Sequence, residues 1–245
     1  MFKNKKKADN QKIKIYSAEG FFTKLIKFTG FKFADLWDVL KNGRKFNEYG
    51  LTLYVGDQGS GKSMAMTEYL ERMRKDFPKA LIITNYGYVH QHQEFGDWND
   101  FFEIRNGVDG VIFALDEIQN EFNSKAWKEF PEELLSEITQ QRKQKVKIIA
   151  SAQVYQDVAV QLRRQTLYVA ECTTFAQRWT IVRCFRKKDY ERAQNFAEGT
   201  QKVQKVYKKS FVQNEHLRSL YDTEKKIERL ARTRFMSKKE RGIAQ

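Results

Sequence analysis

The sequence is poor in the residues that build covalent or metal frameworks. Cys172 and Cys184 are the two cysteines in 245 residues. They show no metal-ligand spacing and no second pair, which excludes a disulfide scaffold or a zinc module and fits a reducing cytoplasm. Histidine is equally scarce: His90, His92 and His216 form no catalytic or metal constellation and are expected to be solvated. No apolar run approaches the ~20 residues needed to span a bilayer. The opening Met1-Phe2-Lys3-Asn4-Lys5-Lys6-Lys7 lacks the apolar core of a signal peptide, so the chain is expected neither to span a membrane nor to be secreted by that route. No internal repeat is present.

What is present is a globular composition, 41% hydrophobic and 31% charged, sufficient for one α/β domain with a sizeable core plus appendages. The net charge of +14 is unevenly placed. Residues 1–50 carry 12 Lys+Arg against 5 Asp+Glu, residues 200–245 carry 13 against 5, and residues 51–199 carry 20 against 21. The positive excess thus lies in two arms around a balanced core. Basic arms attract polyanions such as a nucleic acid or an anionic membrane surface, although tails of this kind also act simply as solubilising segments.

Along the core, strand patterns alternate with helical ones. Residues 51–55 read as a buried strand ended by Gly56, rich in β-formers. Over 62–75, Met64, Met66, Tyr69, Leu70 and Met73 recur at helical spacing, and Pro78 closes that helix. Residues 80–84 are a second strand. Residues 111–115 are a third, apolar throughout, as a strand covered on both faces of a parallel sheet must be. Pro131 opens a helix through Gln144, and 146–151 is a fourth strand. Residues 166–174 and 178–185 form a hairpin about Phe175-Ala176-Gln177 that extends one sheet edge, with Cys172 and Cys184 as small packed residues on it.

Residues 215–241 read as a charged helix with the stripe Leu217, Leu220, Tyr221, Ile227 and Leu230. In the N-terminal arm, Phe22, Leu25, Ile26, Phe33, Leu36, Trp37 and Leu40 recur at helical spacing among Lys24, Lys27 and Lys32, with a bend at Gly30. Such a helix can lie on a membrane surface, grip another protein or, the plainer expectation, pack on the protein's own sheet. Trp98, Trp127 and Trp179 are expected in the core.

Between the first strand and its helix lies Gly56-Asp57-Gln58-Gly59-Ser60-Gly61-Lys62-Ser63, followed by Met64. A glycine, four free positions and Gly-Lys-Ser at a strand–helix junction turn backbone N–H groups and a helix N-terminus toward phosphates. The glycines allow close backbone approach, Lys62 reaches the β- and γ-phosphates, and Ser63 ligates magnesium. Fifty-four residues after Lys62, the third strand ends in Asp116, the expected second magnesium ligand, followed by Glu117. At a strand's end such a neighbour can turn to polarise the attacking water, which favours hydrolysis. The fold expected is α/β, a three-layer P-loop NTPase with a mainly parallel sheet, a C-terminal β-hairpin extension and basic helical arms. Its domains are 1–50, 51–199 and 200–245, and its ligands ATP and Mg²⁺.

The phosphate loop, the acid-ended strand and a following strand ending in Ser151-Ala152-Gln153 resemble the FtsK/HerA division of P-loop motors. Within it they are most similar to the zonula occludens toxin-like ATPases of filamentous phages. The shared features are Thr84-Asn85, Leu115-Asp116-Glu117 followed by Phe122, Arg142 before the fourth strand, Leu162-Arg163-Arg164, and Leu220-Tyr221-Asp222-Thr223, over roughly residues 50–225. The resemblance implies that Gln153 senses the γ-phosphate. It also implies hydrolysis between subunits of a ring, with Arg142, Arg163 or Arg164 of a neighbour as arginine finger. The same arginines can equally form a solvated face or contact DNA.

Filamentous-phage members usually carry a transmembrane helix and an outer domain after the ATPase. Neither is in this sequence, so a soluble packaging or transfer motor is as much expected as membrane extrusion. The expected partners are DNA at the basic arms and a capsid, portal or membrane assembly protein, with the chain in the cytoplasm or peripheral at the inner membrane face. Two rival readings stand beside this motor: a nucleotide or small-molecule kinase, and a nucleotide-gated scaffold for virion assembly.

Overall fold

The structure is a computed structural model that describes residues 20–97, 99–121, 141–195 and 203–221. Trp98, Phe122, Trp127, Pro131, Asp222, Thr223, Ile227 and Leu230 lie outside the described residues. The chain divides into two compact units, Met1–Arg44 and Lys45–Gln245. In the first, helix α1 (Phe21–Asn42) forms where the apolar spacing predicts it and is continuous through Gly30. The expected bend is therefore not a helix break. One interior glycine costs about 1 kcal/mol relative to alanine, too little to end a helix of this length. Gly43 closes it with φ 76, a positive value open to glycine, and an N–H donated to the Val39 carbonyl.

The second unit is built on β1 (Gly50–Val55), β2 (Leu81–Thr84), β3 (Gln93–Glu94), β4 (Val111–Leu115), β5 (Val146–Ala152), β6 (Thr166–Phe175), β7 (Trp179–Arg186) and β8 (Lys205–Val212). They form one sheet in the order β3-β2-β4-β5-β1-β6-β7-β8. The first six strands in that order run parallel and the last two pair antiparallel. The described helices of this unit are α2 (Lys62–Asp76), α3 (Asp100–Glu103), α4 (Ile118–Glu121), α5 (Gln141–Gln144), α6 (Val160–Gln165), α7 (Lys187–Asn195) and α8 (Glu215–Arg218).

Strand alternation sends successive side chains to opposite faces. Ile112, Ala114 and Ile149 meet Met66, Leu70 and Met73 of α2, while Val111, Phe113, Leu115 and Ile148 join Phe101, Leu162 and Tyr190 on the other face. Every residue of β1, β4 and β5 is buried, so the central strands are covered on both sides and the unit has three layers. No described helix is long and apolar enough to cross a membrane.

Three readings from the sequence need correction. Residues 205–212, expected within a helical tail, form the edge strand β8. It aligns Tyr207 with Cys184 and Phe211 with Thr180, so the two-stranded hairpin is a three-stranded antiparallel extension. Here the β-formers Val206, Tyr207, Phe211 and Val212 outweigh the lysines between them, and lysines suit an edge that must not pair with another chain. The described part of the helix expected from residue 215 is only α8. Asn214 caps it by accepting from Leu217 N at 2.8 Å, and Tyr221 then makes an antiparallel bridge with Tyr88. Trp179, expected in the core, is 54% exposed, because it starts β7 at the hairpin tip. Cys172 and Cys184 are buried as expected, and burial pushes the Cys172 thiol up to about 12.

One residue of β5 breaks the apolar pattern. Lys147 is buried, and its Nζ donates to the Tyr49 carbonyl at 3.3 Å and to Thr52 Oγ1 at 2.9 Å. Burial lowers its pKa to about 8. The folded value is below the unfolded one, so between them the unfolded chain holds more protons and stability rises with pH. Relative to Lys147→Met, the parent should gain about 2 kcal/mol between pH 7 and 9.5 in urea unfolding. A flat difference would show that Lys147 is solvated. Taking the difference also cancels the titration of cysteines and tyrosines.

Candidate active site

The glycine loop connects the buried end of β1 to the first turn of α2, and its shape depends on missing side chains. Gly61 has φ 87, and a Cβ there would stand 2.4 Å from Thr174 Oγ1; at Gly56 it would stand 2.8 Å from the Cys172 carbonyl. The loop is tied by Ser60 N to the Asp57 carbonyl at 3.1 Å and by Gly56 N to the Gln153 carbonyl at 3.3 Å. Lys62 arches back over it, its Nζ donating to the carbonyls of Gly56 at 2.7 Å and Asp57 at 3.0 Å. Ser60 Oγ is buried within the loop and has no hydrogen-bond partner among the described residues.

The two predicted metal ligands, 53 residues apart, meet: Ser63 Oγ donates to Asp116 Oδ2 at 3.1 Å. Two residues beyond the predicted site set hold Asp116 in place. Asn85 clamps its backbone, accepting from Asp116 N at 2.7 Å and donating to the Asp116 carbonyl at 3.0 Å. Ser151 Oγ donates to Asp116 Oδ1 and accepts from Glu117 N, the latter at 2.8 Å. Parallel pairing of β4 with β5 and of β4 with β2 makes these contacts. Glu117 adopts φ 53, a left-handed conformation that costs a non-glycine residue about 1 kcal/mol or more. Its carboxylate accepts from Gln119 Nε2.

A cavity of about 430 Å³ opens over the loop, ample for a nucleotide. It is lined by Lys62, Ser63, Asp116, Glu117 and Gln153, with Gln58, Gly59, Gly61 and Met64. Thr174, Gln177, Gln213 and Tyr221 line it as well. Of these four, Tyr221 alone carried a signal in the sequence. The others reach the site because β6 lies beside β1, which no local pattern encodes. Thr174 Oγ1 donates to the Ser60 carbonyl at 2.9 Å, and an Arg178–Glu215 ion pair at 2.7 Å ties the hairpin turn to α8.

That turn is itself strained. Ala176 has φ 45 and Gln177 φ 56, with Arg178 N donating to the Phe175 carbonyl at 3.0 Å. This is a type I′ turn, which prefers Asn-Gly. Replacing Ala176-Gln177 by Asn-Gly should raise unfolding stability by about 1 kcal/mol. An unchanged or lower urea midpoint would show that the turn is not strained.

The three candidate finger arginines lie outside this cavity's lining. Arg142, on α5 before β5, stacks its guanidinium over Tyr49 at 5.6 Å, by the opening end of the strand whose closing end holds Gln153. Arg163 donates through Nε to the Val158 carbonyl at 2.9 Å and lies over the Tyr155 ring at 5.7 Å. Arg164 is exposed on α6. No group of three or more metal-ligating side chains occurs among the described residues. His92 is exposed, as expected, although its Nδ1 accepts from Ile82 N at 3.0 Å.

No protein-family model matches the chain, and no curated protein matches it. Among solved structures, the N-terminal domain of zonular occludens toxin from Neisseria meningitidis is similar at 13% identity and a TM-score of 0.51, covering 71% of this chain and 100% of that one. The genome packaging NTPase B204 from Sulfolobus turreted icosahedral virus 2, in complex with ATP-gammaS, matches at 17% identity and a TM-score of 0.38, covering 52% of this chain and 76% of that one. Thermomonospora curvata EccC, ATPases 2 and 3 with a signal sequence peptide, matches at 10% identity and a TM-score of 0.41, covering 58% and 36%. At these identities the likeness is one of fold, and the first match carries it: the sheet and its glycine loop have the α/β P-loop NTPase fold seen in the zonular occludens toxin domain.

Proposed function

We propose that this chain hydrolyses ATP with magnesium and uses the cycle to move nucleic acid during viral or plasmid genome packaging, extrusion or transfer. The reading rests above all on the Ser63–Asp116 contact at 3.1 Å beside the glycine loop, with Glu117 and Gln153 lining the same cavity. The loop fits a polyphosphate. It holds an orphaned buried hydroxyl at Ser60, and its cradle at Gly56 and Gly61 is one a Cβ would fill. Ser63 and Asp116 are hard oxygen donors suited to Mg²⁺, which when bound neutralises phosphate charge.

Each side chain then has a task. Lys62 turns from the loop carbonyls to the phosphates, and the loop amides with the α2 N-terminus hold their oxygens. Glu117 orients water and takes its proton. Asn85 and Ser151 keep the two acids in register, and Gln153, bonded through its carbonyl to Gly56, reports the terminal phosphate to the loop. A ring of copies would let an arginine enter from a neighbour. Arg164, exposed on α6, is better placed to do so than Arg163, whose head is engaged within its own chain.

ATP turnover measured with and without single- and double-stranded DNA tests the reading. DNA should stimulate the parent, and Gln153→Ala should keep ATP binding while losing the stimulation. Turnover indifferent to either DNA would sink the motor, and equal stimulation of Gln153→Ala would sink the sensor.

A further inference from the structure

A second cavity, of about 330 Å³, lies among β1, β5, α2 and β8 and shares no lining residue with the first. Lys147 and Tyr54 line it and are 4% and 3% exposed. Lys147 Nζ spends two donors on the Tyr49 carbonyl and Thr52 Oγ1. Among the described residues, no carboxylate oxygen lies within ion-pair distance of it. Glu48, the acid whose charge it feels, is held by the Tyr69 hydroxyl at 3.2 Å. The Tyr54 hydroxyl has no hydrogen-bond partner among the described residues. Toward solvent, Arg72 and Lys209 lean on the same acid, Glu68. Among the described residues, three cations thus stand with two carboxylates, Glu48 and Glu68, and Tyr69, Tyr168 and Tyr207 also line the cavity.

A buried charge without a counterion is costly unless something pairs with it. Here the uncompensated charge among the described residues is single and one unused hydroxyl lines the same cavity, a donor set that matches a monoanionic carboxylate better than a doubly charged phosphate. Aromatic walls in a space of this size suit a small planar body. We propose that this cavity binds a small aromatic carboxylate, its carboxylate on Lys147 Nζ and the Tyr54 hydroxyl and its ring among the tyrosine side chains. The alternative is that Lys147 merely ties the start of β1 to β5.

Benzoate is the probe, with binding to the full chain followed by calorimetry in buffers of different ionisation heat. Burial sets the Lys147 pKa at about 8, and an anion beside it must favour the charged form. Benzoate should therefore bind with net proton uptake at about pH 8.5 and with little at about pH 6.5. Lys147→Met should bind at least about tenfold more weakly and take up no proton, and Tyr54→Phe, which removes one oxygen, about threefold more weakly. Acetate, without the ring, should bind at least about tenfold more weakly than benzoate. Lys62→Ala should bind benzoate as the parent does, which separates this site from the phosphate loop. No benzoate binding up to about 10 mM, no proton uptake at the higher pH, or equal affinity in Lys147→Met and Tyr54→Phe would overturn the proposal.

Discussion

Glu117→Gln should bind ATP with magnesium about as tightly as the parent and hydrolyse it at least about a hundredfold more slowly, the lower end of what a positioned base contributes. The amide is isosteric and can still accept from Gln119 Nε2, as the carboxylate does, so the left-handed backbone at φ 53 has no reason to move. Only the ability to take a proton from water is lost. Binding survives because its elements, the loop amides, Lys62 and the Ser63–Asp116 pair, make no contact through that carboxylate. Lys62→Ala is the opposite case. It removes the one side-chain cation of the loop, and nucleotide binding should fall below detection at micromolar ATP. Titration with a fluorescent ATP analogue and phosphate release at saturating ATP separate the two. Turnover unchanged in Glu117→Gln would remove Glu117 from the mechanism, and normal binding in Lys62→Ala would remove the loop.

The second large effect concerns DNA. Replacing Lys3, Lys5, Lys6, Lys7, Lys12 and Lys14 by glutamine removes six of the 12 positive charges in residues 1–50. If all six meet phosphates, the slope of log affinity against log salt on duplex should flatten by about five, and binding at ~0.1 M salt should drop by three orders of magnitude or more. On β8, Lys209 is held by Glu68 in an ion pair, so reversing its charge would disturb the fold as well. Lys205 and Lys208 are exposed and make no hydrogen bond or ion pair with another described side chain. Reversing those two should flatten the slope by up to about two. Filter binding across a salt series is the measurement. An unchanged slope in the six-lysine variant would show that the positive charge of the arm serves something other than DNA.

Residues close together in the chain made their own case. The run from Leu51 to Ser63 specifies a strand, a glycine turn and a helix, because each residue's conformational limits act within a few positions. The same holds for the apolar run ending in Asp116-Glu117 and for the α1 stripe. Local pattern could also suggest that Ser63 and Asp116 act together, but a separation of 53 positions along the chain fixes no distance. Sheet order supplies it. Packing β4 against β5 and β5 against β1 sets Asp116, Ser151 and the loop side by side.

The same long-range order decided what the sequence left open or misled. Lys205 to Val212 looked like part of a basic tail because of its lysines, yet pairing with β7 rewards Val206, Tyr207, Phe211 and Val212 only once β7 exists. Gln177 and Gln213 are ordinary polar residues until the hairpin is laid beside β1. Nothing local marks Lys147, in an otherwise apolar strand, as buried, and only the packing of α2 and β8 around it makes it a buried charge in a cavity. Local propensity acts through neighbours in sequence, whereas burial, charge pairing and cavity walls depend on contacts the chain makes after it has folded back on itself.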